Sequence, residues 1–329
     1  MGPGTAVRRR RRAGRARRAA LAALVAGAVA FPLSAAARPE IPAPPPAVLA
    51  APTADTLADT YAANRANADE AARMADAHGD RHRAAADRSL AGPSRHLLAF
   101  DGRGAGLATE VFGDLAHADR VAVLVPGSDT GLDTYGRFRA AALALHRQLL
   151  ARAPDGTRTA VVAWLGYRTP GTVSTAVATT GRADEAAPKL RGLVDDLRGV
   201  TGPHARVALL CHSYGSVVCA RAAAGLDVAD IALVGSPGTG ADSAAGLRTS
   251  ARIWAARGTG DWVEHVPHLS AGLFGTTLGF GTDPLSPAFG ARVFDAGDGG
   301  HSDYFDAGSR SLTNLARIAL GETTEVTHD

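Results

Sequence analysis

Cysteine is nearly absent from this 329-residue chain. Cys211 and Cys219 are too few for a disulfide-dense scaffold or a cysteine-built zinc site. They could join across eight residues, or serve as two buried apolar thiols. Acidic residues and lysine are missing before Pro39, whereas eight arginines crowd between Arg8 and Arg18. Setting those eight aside turns the whole-chain charge of +3 into −5 for the rest. Positive charge is therefore confined to one terminal block, and no nucleic-acid partner is expected. No internal repeat occurs, and 46% hydrophobic residues suffice for a sizeable core.

The arginine block is followed by an apolar run from Ala19 to Leu33 and then by small residues, Ser34-Ala-Ala-Ala37. Basic, apolar and small, in that order, is the arrangement of an export signal, with cleavage expected near Ala36 or Ala37. If uncleaved, the run approaches the length of a membrane anchor, which would tie the protein to the membrane or cell envelope. A secreted or envelope-associated protein is the expectation. Residues 38–53 carry Pro42, Pro44, Pro45 and Pro46 and read as an extended linker. Residues 54–92 are alanine-rich and charged without strand alternation, and predict one or two helices with Leu57, Tyr61, Ala68, Ala72 and Ala75 on one stripe.

After Gly92-Pro93 the pattern changes. Strands are predicted at 96–100, 107–112, 120–125, 159–165, 206–211, 231–234, 251–255 and 291–294, and helices at about 133–151, 185–200, 214–225 and 304–320. Runs such as Val121-Ala-Val-Leu-Val125 are apolar throughout, which suits strands covered on both faces of a parallel sheet. The first two strands read as a hairpin. The fold class is α/β, a mostly parallel sheet with helices on both faces, over about residues 93–322, with 323–329 as a tail.

Between the strand Arg206-Val-Ala-Leu-Leu and the helical run that starts at Ser216 lies Cys211-His-Ser-Tyr-Gly215. A serine on a sharp strand-to-helix turn exposes its hydroxyl and offers backbone N–H groups to a developing oxyanion. Ser213 is therefore the candidate nucleophile, although Cys211 stands where G-x-S-x-G has its first glycine. Nucleophilic serine needs a base and an acid that orients the base. Asp261, in Gly258-Thr-Gly-Asp261 after the strand at 251–255, is the candidate acid. His301, in the glycine-rich loop after the last strand, is the candidate base. Glu264, Asp298 and Asp303 are weaker acids, and His212 is expected to pack within the elbow. The backbone N–H groups of Tyr214 and of Ser128, in the turn Pro126-Gly-Ser-Asp129, would form the oxyanion hole. Trp164 and Tyr167, together with Leu273 and Phe274 from the long segment 266–289, are candidates for a substrate pocket or for plain packing.

Val123-Leu-Val-Pro-Gly127, Ala163-Trp-Leu-Gly-Tyr167, His212-Ser-Tyr-Gly-Ser216, Gly260-Asp261 and Gly300-His-Ser-Asp-Tyr304 together resemble an uncharacterised α/β-hydrolase family common in high-GC Gram-positive bacteria. The resemblance spans about residues 95–320. It implies the α/β-hydrolase fold with an eight-stranded sheet, and Ser213, Asp261 and His301 as the triad. The expected activity is that of an exported serine hydrolase on an ester, small or lipid-like, without metal or organic cofactor. An amidase or peptidase would use the same groups. A non-catalytic envelope-binding protein on the same scaffold is the rival, motivated by Cys211 and the N-terminal extension.

Overall fold

The apolar runs of the central strands are buried strands in a computed structural model, which describes residues 41–172, 179–265, 271–273, 276–278 and 280–328. The segment read as an export signal lies outside the described residues. Among the described residues, no helix is long and apolar enough to cross a membrane.

Strands β1 (His96–Asp101), β2 (Leu107–Phe112), β3 (Arg120–Val125), β4 (Thr159–Leu165), β5 (Arg206–His212), β6 (Asp230–Val234), β7 (Arg252–Ala256) and β10 (Arg292–Val293) form an eight-stranded sheet, in the order β1-β2-β4-β3-β5-β6-β7-β10. β2 runs antiparallel to both of its neighbours, and every pairing from β4 to β10 is parallel. The expected hairpin opening and parallel body are thus both present. A short antiparallel pair, β8 (Ala271–Leu273) and β9 (Thr276–Leu278), stands apart from this sheet.

Alternate residues of each buried strand feed separate cores, as strand geometry requires. Val121, Val123, Val162, Leu209 and Leu233 pack on one face with helices α4 (Gly181–Thr201) and α5 (Gly215–Ala222). Ala122, Leu124, Val161, Leu210 and Ala232 pack on the other with α3 (Tyr135–Arg152) and α6 (Arg310–Leu320). Burying apolar side chains on both faces excludes water from the ladder and supplies most of the driving force for folding, at roughly 25 cal/mol per Å².

The helical extension does not stand apart from this body. Its two helices, α1 (Leu57–His78) and α2 (Arg81–Leu90), belong to the same unit, Pro42–Asp329, as the sheet. Asn64 Nδ2 donates to the carbonyls of Leu97 and Leu98 at 3.1 and 3.0 Å, so α1 is fastened to edge strand β1. Arg83 makes a two-pronged bond to Asp133 at 2.8 and 2.9 Å. The predicted stripe is present, with Leu57, Ala68, Ala72 and Ala75 buried.

Three predicted helix boundaries are corrected: α4 starts at Gly181 and not near 185, α5 ends at Ala222 and not near 225, and the last helix moves furthest. The last helix starts at Arg310 and not near residue 304, because Ser309 caps it: its backbone is extended and its Oγ accepts from Leu312 N at 3.0 Å. Residues 301–308 are consequently turn, which leaves Tyr304 outside any helix.

Candidate functional site

β5 ends at His212 and α5 begins at Gly215, which leaves two residues to reverse the chain. Ser213 takes φ +53°, a left-handed conformation that costs a non-glycine residue energy and persists where surrounding structure enforces it. The enforcement is visible on both sides of the turn. Ser213 N donates to Val234 O of the neighbouring strand at 2.9 Å. A Cβ at Gly215 would lie 2.5 Å from Val125 O and 2.7 Å from Pro126 O, so only glycine lets α5 start this close to the end of β3.

Cys211, the departure from the glycine pattern, is fully buried and disulfide-bonded to Cys219, with Cα atoms 6.5 Å apart. Of the two sequence readings, bridge or free thiols, the structure has the bridge. The side chain that glycine would lack is thus turned toward α5 and ties the strand to the helix on either side of Ser213.

His301 is 88 residues from Ser213 and 40 from Asp261 in sequence, and the sheet brings the three together at the carboxyl ends of parallel strands. His301 Nε2 lies 2.9 Å from Ser213 Oγ. His301 Nδ1 lies 2.9 and 3.1 Å from the two oxygens of Asp261. A carboxylate only accepts, so Nδ1 carries the proton in the neutral imidazole, and Nε2 is left bare to accept from the serine hydroxyl. Asp261 is buried. Burial pushes its carboxyl up, but hydrogen bonds from His301, Tyr304 and the Val263 N–H outweigh it and hold the group at about 2. It is therefore ionised across the neutral range. Among the other acids considered, Asp303 accepts from Gly300 N at 2.8 Å and so shapes the His301 loop.

Three supporting residues were not singled out by sequence reasoning. The Tyr304 hydroxyl donates to Asp261 Oδ2 at 2.5 Å and accepts from Gly258 N at 3.1 Å, locking the carboxylate to its own loop. Its signal in the sequence was its place three residues after His301. Gly235, at φ +56° just past β6, leaves the space into which Asp261, Tyr304 and His301 converge. Nothing local marks it, since its necessity comes from residues far along the chain. Trp262, next to the acid, has its ring centroid 4.8 Å from that of His301 and is 52% exposed.

His212 packs within the elbow, as expected from sequence. Its Nε2 lies 2.6 Å from the carbonyl of His301, which can only accept, so His212 donates there as a neutral ring. Burial, followed by the neighbouring His301 imidazole, lowers its pKa to about 4, and it stays neutral at pH 7.

The turn after β3 adjoins the serine: a Cβ at Gly127 would lie 2.6 Å from Ser213 Cβ and 3.1 Å from its Oγ. Among the described residues, neither the N–H of Ser128 nor that of Tyr214 has a hydrogen-bond partner. Two unpartnered donors, one following Ser213 and one following Gly127 in the chain, are the kind of groups a tetrahedral oxyanion requires. Trp164 and Tyr167 are both core residues, exposed by 3% and 2%. Their rings stack at 5.8 Å, and Tyr167 donates its hydroxyl to Pro126 O at 2.6 Å. Tyr167 therefore braces the turn that carries Ser128, and the pocket reading of this pair gives way to packing. Phe274 and the side chain of Leu273 lie outside the described residues. The described residues contain no cluster of His, Cys, Asp and Glu able to hold a metal ion.

An eight-stranded, mostly parallel sheet with a hydroxyl, an imidazole and a carboxylate in hydrogen-bonded sequence at its carboxyl edge defines the class. The chain belongs to the α/β-hydrolase family, whose model matches residues 101–271. It is 31% identical over 269 residues to the uncharacterized protein Rv2079 of Mycobacterium tuberculosis, covering 70% of this chain and 39% of that one. It is 33% identical over 145 residues to the uncharacterized protein Rv0963c of the same species, covering 40% and 53%. The chain thus spans about two fifths to one half of the length of these relatives. Among solved structures it is similar to an α/β serine hydrolase without lid from Xanthomonas campestris (TM-score 0.43, 20% identity, 71% of this chain and 94% of that chain). It is also similar to esterase PE8 (TM-score 0.44, 18% identity, 66% and 99%).

Proposed function

We propose that this protein is a serine hydrolase that cleaves carboxylic esters through an acyl-enzyme at Ser213. The observation that carries the reading is the chain of bonds from Ser213 Oγ through His301 to Asp261, with Ser213 in the left-handed conformation of a nucleophile turn. As Oγ attacks the carbonyl carbon, its proton passes to His301 Nε2. Asp261, ionised and bonded at Nδ1, stabilises the imidazolium that forms. The N–H groups of Ser128 and Tyr214 receive the oxyanion. His301 then protonates the leaving alcohol, and a water deprotonated by the same imidazole releases the acid. None of these steps needs a metal or organic cofactor.

A fluorophosphonate probe should label the folded protein at Ser213, and Ser213→Ala should abolish both labelling and ester turnover. Labelling that persists in Ser213→Ala, or its absence from the folded parent, would refute the mechanism. A series of p-nitrophenyl esters of increasing acyl length would then define the acyl preference. Export through the basic and apolar N-terminal segment is part of the proposal. Recovery of an unprocessed chain from the cytosol alone would count against it.

A further inference from the structure

Among the described residues, Trp262 is one of the few large apolar side chains left in water, 52% exposed, while the next residue, Val263, is buried. The two belong to the same turn of 3₁₀ helix, Trp262–His265, so the exposure reflects which way that turn faces. Trp262 does not contribute to the core, yet its place is fixed from two directions. It follows Asp261 directly, and Asp261 Oδ1 accepts from Val263 N at 2.9 Å, which pins the turn on both sides of the indole. Its ring centroid lies 4.8 Å from that of His301, with the planes tilted by 51°. The imidazole has a second ring neighbour, His212, also at 4.8 Å, but His212 is directed inward onto the His301 carbonyl. Of these two aromatic neighbours of the base, Trp262 is the exposed one, His212 being half-buried.

Acyl transfer dictates which half of a substrate comes to that place. In acylation the Oγ–C bond forms and the C–O bond to the alcohol breaks. The proton taken from Oγ by His301 Nε2 is delivered to the departing oxygen. The leaving alcohol must therefore lie within hydrogen-bond reach of His301, whereas the acyl carbonyl lies toward Ser128 and Tyr214. An exposed indole packed against His301 is open to a group that docks at that imidazole. We propose that Trp262 is a specificity-determining residue that selects esters of apolar, and best of aromatic, alcohols by packing against the leaving group. This rests on the serine mechanism above and adds the half of the substrate that is read. Aromatic pairs contribute beyond their buried area, and contact retained in the transition state appears in kcat/KM.

Benzyl acetate and methyl phenylacetate test this, because they are isomers that carry the same phenyl ring on opposite sides of the ester. Trp262→Ala should lower kcat/KM for benzyl acetate about tenfold and for methyl phenylacetate less than about twofold. Trp262→Phe should restore most of the benzyl acetate rate. Equal losses on both isomers, or a loss confined to methyl phenylacetate, would overturn the assignment. So would a parent protein that labels with fluorophosphonate at Ser213 but hydrolyses neither isomer. A folded parent that neither labels nor hydrolyses either one removes the serine mechanism itself, and this assignment with it.

Discussion

Replacing Gly235 by alanine probes the convergence of β6 on the two loops that carry the acid and the base. An ideal Cβ there would lie 2.9 Å from Asp261 Oδ2, 2.9 Å from Tyr304 Cε2 and 3.2 Å from His301 Nδ1. Restoring ordinary contacts of about 3.5 Å requires Asp261 and Tyr304 to recede by about 0.6 Å. Misplacement on that scale costs up to about 100-fold in rate, or about 2.7 kcal/mol of barrier. The left-handed backbone, φ +56°, adds a stability cost of about 1–2 kcal/mol for any side chain. Gly225→Ala separates the two effects. Gly225 has φ +74°, but a Cβ there would meet nothing within 4 Å. Both variants should lose about 1–2 kcal/mol in urea denaturation. Only Gly235→Ala should lose about 30- to 100-fold in the rate of fluorophosphonate labelling and ester hydrolysis, measured where both are fully folded. Full activity in Gly235→Ala, or losses in the two variants that simply follow their stabilities, would refute the argument from space around the carboxylate.

Two further predictions concern buried carboxylates. Asp261 is held at about 2 against an ordinary value of 3.8, so its stabilising effect is complete above about pH 4 and is lost as pH falls toward 2. Tyr304→Phe removes one of the bonds responsible; it should flatten that acid limb in denaturation curves, lower kcat/KM about tenfold, and leave KM little changed. An unaltered acid limb would contradict the role given to the hydroxyl. Asp87 on α2 is the opposite case. It is buried, its Oδ1 has no hydrogen-bond partner among the described residues, and burial, partly offset by Arg83, raises its pKa to about 7. The fold favours the protonated form, so stability should fall as pH rises from about 4 through 7. Asp87→Asn should remove this slope and exceed the parent in stability at pH 8 by about 1–3 kcal/mol in urea denaturation. A parent whose stability is flat over that range would exclude the effect.

Local pattern carried much of the fold. The strands at 107–112, 120–125 and 159–165 have the bounds read from the sequence, because apolar runs between polar turns are local facts. The last helix was misplaced at its start, because turn residues 304–309 mix aromatic and small residues that a helix would also accept, and the Ser309 cap decides between them. For the site, the order of Ser213, Asp261 and His301 along the chain, each just after a strand, was enough to name three groups that the structure links in series, with His301 2.9 Å from Ser213 on one side and 2.9 Å from Asp261 on the other.

What the sequence by itself determined was therefore local in the chain: the apolar strand runs between polar turns, the glycine needed two residues after Ser213, and the succession of polar side chains at strand ends. Only the tertiary structure decided what depends on neighbours distant in sequence. It joined Cys211 to Cys219 across the elbow, drew Tyr304 onto Asp261, emptied the space beside Gly235, turned Tyr167 from a pocket candidate into a brace for Pro126, and set Trp262 against His301 in solvent. The physical reason is range. Backbone propensity and hydrophobic period act over a few residues, whereas hydrogen bonds and van der Waals contacts act over a few ångströms. A site assembled from several strand ends is close in the second sense and remote in the first.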